Sequence, residues 1–174
     1  KIKYEVWYKG TNVLGSSVFG LQFSQAPYYG SNVSIIHHER RSFNEIWEPV
    51  VGSYSKILNH YNELILDIQE DNYPERMIKI GIRVYNDGIA FRYHIPESWS
   101  RFLPNYQDVD RLILLDEMTS FRFSSNHKVW AADYKSYASH QEEEFNSMFL
   151  EEITPEHVIG LPLLVKIDNK CYAA

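Results

Sequence analysis

The run Glu142-Glu143-Glu144, followed by Phe145, is the densest set of oxygen ligands in the chain. A hard cation such as calcium wants six to eight oxygens. Three consecutive carboxylates on a helix point in three directions, so the run makes no calcium site by itself. A solvated helix start, with acids beside the positive end of the helix dipole, is the simpler reading of the run taken alone. His37-His38 invites a metal, yet neighbours on a strand point to opposite faces. Flanked by Glu39-Arg40-Arg41, the pair reads as a solvated loop or strand edge. Trp7, Trp47, Trp99 and Trp130 could be platforms for stacking sugars, against which stands ordinary core and loop packing. The chain carries no Gly-rich phosphate loop, no Gly-x-Ser-x-Gly elbow and no His-Glu-x-x-His. Its carboxylates are plentiful, but no spacing singles out an acid/base pair.

Composition narrows the field. The 174 residues fit one domain large enough to bury a core. A net charge of −6, with the basic residues scattered, argues against a nucleic-acid partner. Cys171 is the single cysteine, so neither a disulfide framework nor a cysteine zinc site is expected. No apolar run approaches the roughly 20 residues of a membrane span. The sequence opens at Lys1 inside a strand pattern, without Met or a signal peptide, which fits a processed or cut chain.

The elements that must position these residues are mostly strands. Ile78, Ile80, Ile82 and Val84 alternate with Lys79, Gly81 and Arg83; after Asn86-Asp87-Gly88 the alternation resumes at Ile89, Phe91, Tyr93 and Ile95. That is a β-hairpin signal, with residues tolerant of positive φ at its turn. Ile2 to Tyr8 reads as a first strand, turning at Lys9 to Asn12 into a return strand from Val13. Ser16 to Phe23, Leu64 to Ile68, Leu112 to Leu115, Met118 to Phe123, Pro162 to Ile167 and Cys171 to Ala174 read as further strands. Ser24 to Ser34 and Pro96 to Asp110 read as loops, and Asn126 to Tyr137 as irregular. From Gln141 onward, Phe145, Met148 and Phe149 recur at helical spacing, opposite the glutamates. Pro155 closes this one short helix. Many strands with turn signals at short intervals, and no βαβ alternation, predict an all-β sandwich.

Trp47-x-Pro49-Val50-x-Gly52 followed by Asn59-His60-Tyr61-Asn62-Glu63-Leu64 resembles the N-terminal domain of glycoside hydrolase family 97. Arg83-Val84-Tyr85-Asn86-Asp87-Gly88-Ile89-Ala90-Phe91-Arg92-Tyr93 resembles that family's next signature. Ser17-x-x-Gly20-Leu21, Glu117-x-Thr119-x-Phe121 and Pro162-Leu163 match in the same order. The resemblance implies a galactose-mutarotase-like β-super-sandwich spanning 1–174, incomplete at both ends, with exposed strand edges that invite self-association. It also implies a periplasmic exo-acting α-glycosidase, cleaving terminal α-glucosyl or α-galactosyl residues. Its catalytic carboxylates would sit on a C-terminal (β/α)8 barrel absent from this chain. The residues here would then include no catalytic group, and the chain by itself should hydrolyse nothing.

By the same resemblance, Glu142 lends a ligand to an active-site calcium shared with the barrel, with Glu143 and Glu144 as register alternatives. Glu156 and His157 would face the oligosaccharide substrate. Two rival readings stand beside this one: a freestanding carbohydrate-binding module with an exposed aromatic platform, and a structural sandwich whose acidic run is merely solvated.

Overall fold

The structure, a computed structural model, describes residues 1–24, 26, 28–74, 76–96 and 112–173. Trp99 and most of the loop expected over Pro96 to Asp110 lie outside the described residues. The fold is all-β. Its strands are β1 (Lys3–Tyr8), β2 (Thr11–Val18), β3 (Leu21–Phe23), β4 (Val33–Trp47), β5 (Ile57–Glu70), β6 (Met77–Val84), β7 (Ile89–His94), β8 (Leu114–Glu117), β9 (Lys128–Asp133), β10 (Asn146–Phe149), β11 (Ile159–Ile167) and β12 (Lys170–Ala173). They divide between two compact units, residues 1–2 with 18–119 and residues 3–17 with 120–174.

The first unit holds an antiparallel sheet in the order β4-β5-β6-β7 and the pair β3-β8. The central hairpin forms as the alternation predicts, Val84 pairing with Ile89 and Lys79 with His94. Its turn differs from expectation. The four residues Tyr85 to Gly88 form the loop, closed by Tyr85 N–H donating to the Gly88 carbonyl at 2.7 Å. None of them has positive φ, because a loop of this length builds on ordinary turn geometry. Ile68, Ile78 and Ile80 are each 1% exposed. Phe19 packs edge-on against Phe91 and Tyr93, with centroids 5.0 and 5.9 Å away. Tyr29 reaches between strands to donate its hydroxyl to the Ile68 carbonyl at 2.9 Å. This core leaves a gap of about 10 Å³, at the lower limit for one water. In the same unit the Arg76 guanidinium lies 2.9 Å from Glu70, both buried.

The second unit holds the pair β1-β2 and the sheet β10-β9-β11-β12. Lys9 and Gly10 turn β1 into β2 with φ of 49° and 81°; positive φ at both central residues is the two-residue turn whose twist suits a hairpin. Val13, Leu14, Val129, Val165 and Ile167 make the core, flanked by Tyr4, Tyr8, Met148 and Tyr172. Ser17 is fully buried, its hydroxyl donating to the Gly15 carbonyl and accepting from Arg122 N–H, each at 2.9 Å.

Several expected elements are corrected here. Asn126 to Tyr137 is not irregular: it contains β9, the strand bonded to both β10 and β11. Its small residues Ala131 and Ala132 are buried rather than breaking a pattern. Met118 to Phe123 is not a strand; β8 ends at Glu117. The helix expected from Gln141 is absent. Residues 141–145 are irregular and Asn146–Phe149 is β10, paired with Ala131 to Lys128. Among the described residues the helical turn is a 3-10 turn at Leu150–Glu152. Helical spacing of three aromatic and thioether side chains is outweighed there by ladder bonds to β9 and by packing of the partly buried Met148 against this unit's core.

Candidate functional site

The residues singled out for metal and substrate lie in the second unit, on the connections flanking β9, β10 and β11. β9 ends at Asp133, which reaches into the turn that follows. Its Oδ1 accepts from Lys135 N–H at 3.1 Å and Val158 N–H at 3.2 Å. Its Oδ2 meets Lys135 Nζ at 2.7 Å. The Lys135 bonds, first from the side chain and then the backbone, pull the Asp133 carboxyl down to about 2 from its ordinary 3.8. Asp133 thereby clamps the 134–136 turn to the segment entering β11. Tyr134 N–H donates to the Val158 carbonyl at 2.8 Å, and the Tyr134 ring packs so close to Gly160 that a Cβ there would collide with it.

Against this clamp sits the loop before β11. Thr154 N–H donates to His157 Nδ1 at 3.1 Å, and His157 N–H donates back to the Thr154 carbonyl at 3.1 Å. The Thr154 hydroxyl donates to Glu156 Oε2 at 2.8 Å. With Nδ1 accepting, the neutral imidazole carries its proton on Nε2, which faces Asp133 Oδ2 at 4.0 Å. An Asp–His–Thr set of this kind resembles a nucleophilic triad in composition. The Thr154 hydroxyl oxygen also lies 3.0 Å from His157 Nδ1, but it donates its proton to Glu156, and Nδ1 already accepts the Thr154 backbone proton, so the wiring is not that of a triad. Glu156 is exposed and His157 half-buried.

Glu142, Glu143 and Glu144 are all exposed on the irregular segment leading into β10. Glu142 N–H donates to His140 Nδ1 at 3.0 Å, and Glu143 lies 3.9 Å from His140 Nε2. Gln141, with φ of 57°, redirects the chain just before them. Among the described residues no three His, Cys, Asp or Glu side chains converge on a common point. Calcium wants six to eight oxygens, so the run by itself is not a complete site. Next to it, Phe145 lines an open groove of about 390 Å³ with Trp130, Pro162 and Leu164. The groove opens where β11 slips register against β9 between Gly160 and Leu164, at the cis Leu161–Pro162 bond.

The other candidates fall elsewhere. His37 and His38 are exposed on β4, which among the described residues is bonded on one side only, to β5, as a strand edge should be. The described tryptophans sit on separate strands. Trp7 is 62% exposed and bonds Glu5, and Trp130 lies under the Lys128 ammonium at 5.4 Å. Trp47 ends β4. The three stretches carrying the family resemblance meet at one end of the first unit's sheet, where Trp47 pairs with Ile57, and Glu63 with both Arg41 and Arg83. Asp133 and Lys135 carry no signal in the sequence, because the alanines of β9 mark no strand face and only the pairing with β11 places Asp133 beside His157.

The family model for the N-terminal domain of glycosyl hydrolase 97 matches residues 1–174. The chain belongs to this family. It is 24% identical, over 95% of its length, to the "Retaining alpha-galactosidase" of Bacteroides thetaiotaomicron, of which it spans 24%. A variant of a Glycoside Hydrolase Family 97 enzyme from Pseudoalteromonas sp. strain K8 superposes with a TM-score of 0.76 at 18% identity. The same enzyme in complex with acarbose gives 0.74 at 16%. Each alignment covers 95% of this chain and 24% of the other. The expected β-super-sandwich class is therefore the fold of this family 97 domain. The chain spans about a quarter of the length of the relatives it matches.

Proposed function

We propose that this domain forms one wall of the active site in an exo-acting, periplasmic α-glycosidase that removes terminal α-glucosyl or α-galactosyl residues. In this reading Glu142 lends a carboxylate oxygen to a calcium ion held jointly with the (β/α)8 barrel of the same polypeptide. The exposed carboxylate of Glu156, beside His157, faces the oligosaccharide. The match of the family model to all 174 residues carries the proposal.

Two features of the second unit support the role of Glu142. Its carboxylate is exposed, and among the described residues no side chain pairs with it. It also precedes by three residues Phe145, which lines an open groove with Trp130, Pro162 and Leu164. When bound, calcium supplies Lewis-acid polarisation of the glycosidic oxygen or of water. The domain's own contribution is to hold the ligand segment still, through Gln141, His140 and the ladder bonds of β10.

The test is made in the intact enzyme. Glu142→Gln should raise the calcium concentration needed for half-maximal hydrolysis of an aryl α-glycoside by at least tenfold, and Glu143→Gln and Glu144→Gln by less. A comparable effect from Glu143→Gln instead would move the ligand by one position. Unchanged calcium dependence in all three would remove the run from the site.

A further inference from the structure

The end of the β4-β5 hairpin carries apolar surface that the first unit itself leaves uncovered. β5 pairs with β6 only as far as Asn62 with Val84, whereas its pairing with β4 continues through His60, Asn59 and Leu58 to Ile57. Those last pairs are a two-stranded ribbon, a form that needs packing from elsewhere to be stable. Ile46 and Leu58 face each other on one side, 65% and 61% exposed, while Trp47, 49% exposed, projects on the other. In the loop beyond, Val50 is 100% exposed, Val51 84% and Tyr54 73%. Exposed apolar side chains gathered at one hairpin end point to an interaction site.

We propose that this hairpin end is a docking knob, seated in a cleft of the polypeptide that lies outside residues 1–174. This rests on the reading that a catalytic portion shares the chain. The relatives supply the occupant: this chain spans 24% of their length, so most of such a protein lies beyond it. Geometry favours a cleft. Apolar side chains project from both faces of the ribbon and from its tip, and a flat surface or a two-fold copy of the same convex end would cover only part of them. Charge points the same way. Glu48 pairs with Lys56 at 3.5 Å and Glu45 accepts from Asn59 at 2.6 Å. The tip therefore presents no unpaired basic cluster for an anionic membrane.

The test places the photo-crosslinker p-benzoylphenylalanine at Val50 or Val51 in the full-length protein, followed by irradiation and peptide mapping. The expected product is an intramolecular link from this loop to a peptide outside residues 1–174. A linked dimer would overturn the proposal in favour of self-association, and an unlinked product would overturn it by leaving the loop in water. As a second measurement, V50D/V51D should raise the rate of protease cleavage between domains at least tenfold while the circular dichroism spectrum keeps its β signature. An unchanged rate would also overturn it. Hydrolysis of an aryl α-glycoside by the unirradiated protein tests the enzymatic reading separately, so either idea can fail without the other.

Discussion

Arg83 stands directly opposite Glu63 across β5 and β6, its Nε 2.8 Å from a Glu63 carboxylate oxygen and its guanidinium 4.4 Å from the Tyr61 ring centroid. Phe43 stacks on Tyr61 at 5.0 Å and Tyr85 packs beside it at 5.3 Å. One cross-strand ion pair is thus built into an aromatic cluster that ties β4, β5 and β6 together where the hairpin leaves the sheet. Glu63 is 8% exposed, so its partner matters.

Arg83→Ala should therefore cost about 1–3 kcal/mol, the penalty for leaving a buried hydrogen-bonding group unmet. Arg83→Lys should recover only part of this, since an ammonium lacks the flat face that lies on Tyr61. A urea-unfolding double-mutant cycle with Glu63→Gln checks it. Strictly additive losses would show that the pair is not coupled.

The Arg76–Glu70 pair is more deeply buried, with side chains 0% and 5% exposed. Removing one charge strands the other in the core, so Arg76→Met or Glu70→Gln should each destabilise by about 3–5 kcal/mol. The double variant Glu70→Leu/Arg76→Met should lose less than either single change. Denaturant midpoints of the three proteins decide it, and a double variant worse than both singles would contradict the account.

Asp133 sets an acid-sensitive contact. Lys135 and the 158 amide hold its carboxyl at about 2 in the folded chain, below the ordinary 3.8. The folded state therefore favours the ionised form. Its contribution is full above about pH 4 and is lost as pH falls through about 2. Asp133→Asn should flatten the stability profile between those values and leave its neutral plateau lower. Thermal unfolding from pH 2 to 7 reads this directly, and parallel profiles for the two proteins would exclude the clamp.

The hairpin Met77 to His94 was legible because Ile78, Ile80 and Ile82 alternate strictly, and a period of two survives any detail of packing. The turn between Lys9 and Asn12 was legible for a similarly local reason, a glycine where φ must be positive. The family itself was written in Trp47 to Gly52, Asn59 to Leu64 and Arg83 to Tyr93. Glu142, Glu156 and His157 followed from resemblance, not from pattern. Other features depended on neighbours distant in sequence. Phe145, Met148 and Phe149 keep helical spacing, yet β9 offers ladder bonds to Asn146–Phe149 and a core for Met148, and a strand results. β9 hid because Ala131 and Ala132 are too small to mark a face, and only the close approach of β11 and β10 buries them. Asp133 and His157, 24 positions apart, meet because that same register brings Ile159 opposite Asp133. Local alternation and turn chemistry are properties of a few consecutive residues, so the sequence by itself determined the all-β class and the central hairpin. Strand partners, registers and the company each polar side chain keeps arise from contacts across long separations, and those only the tertiary structure decided.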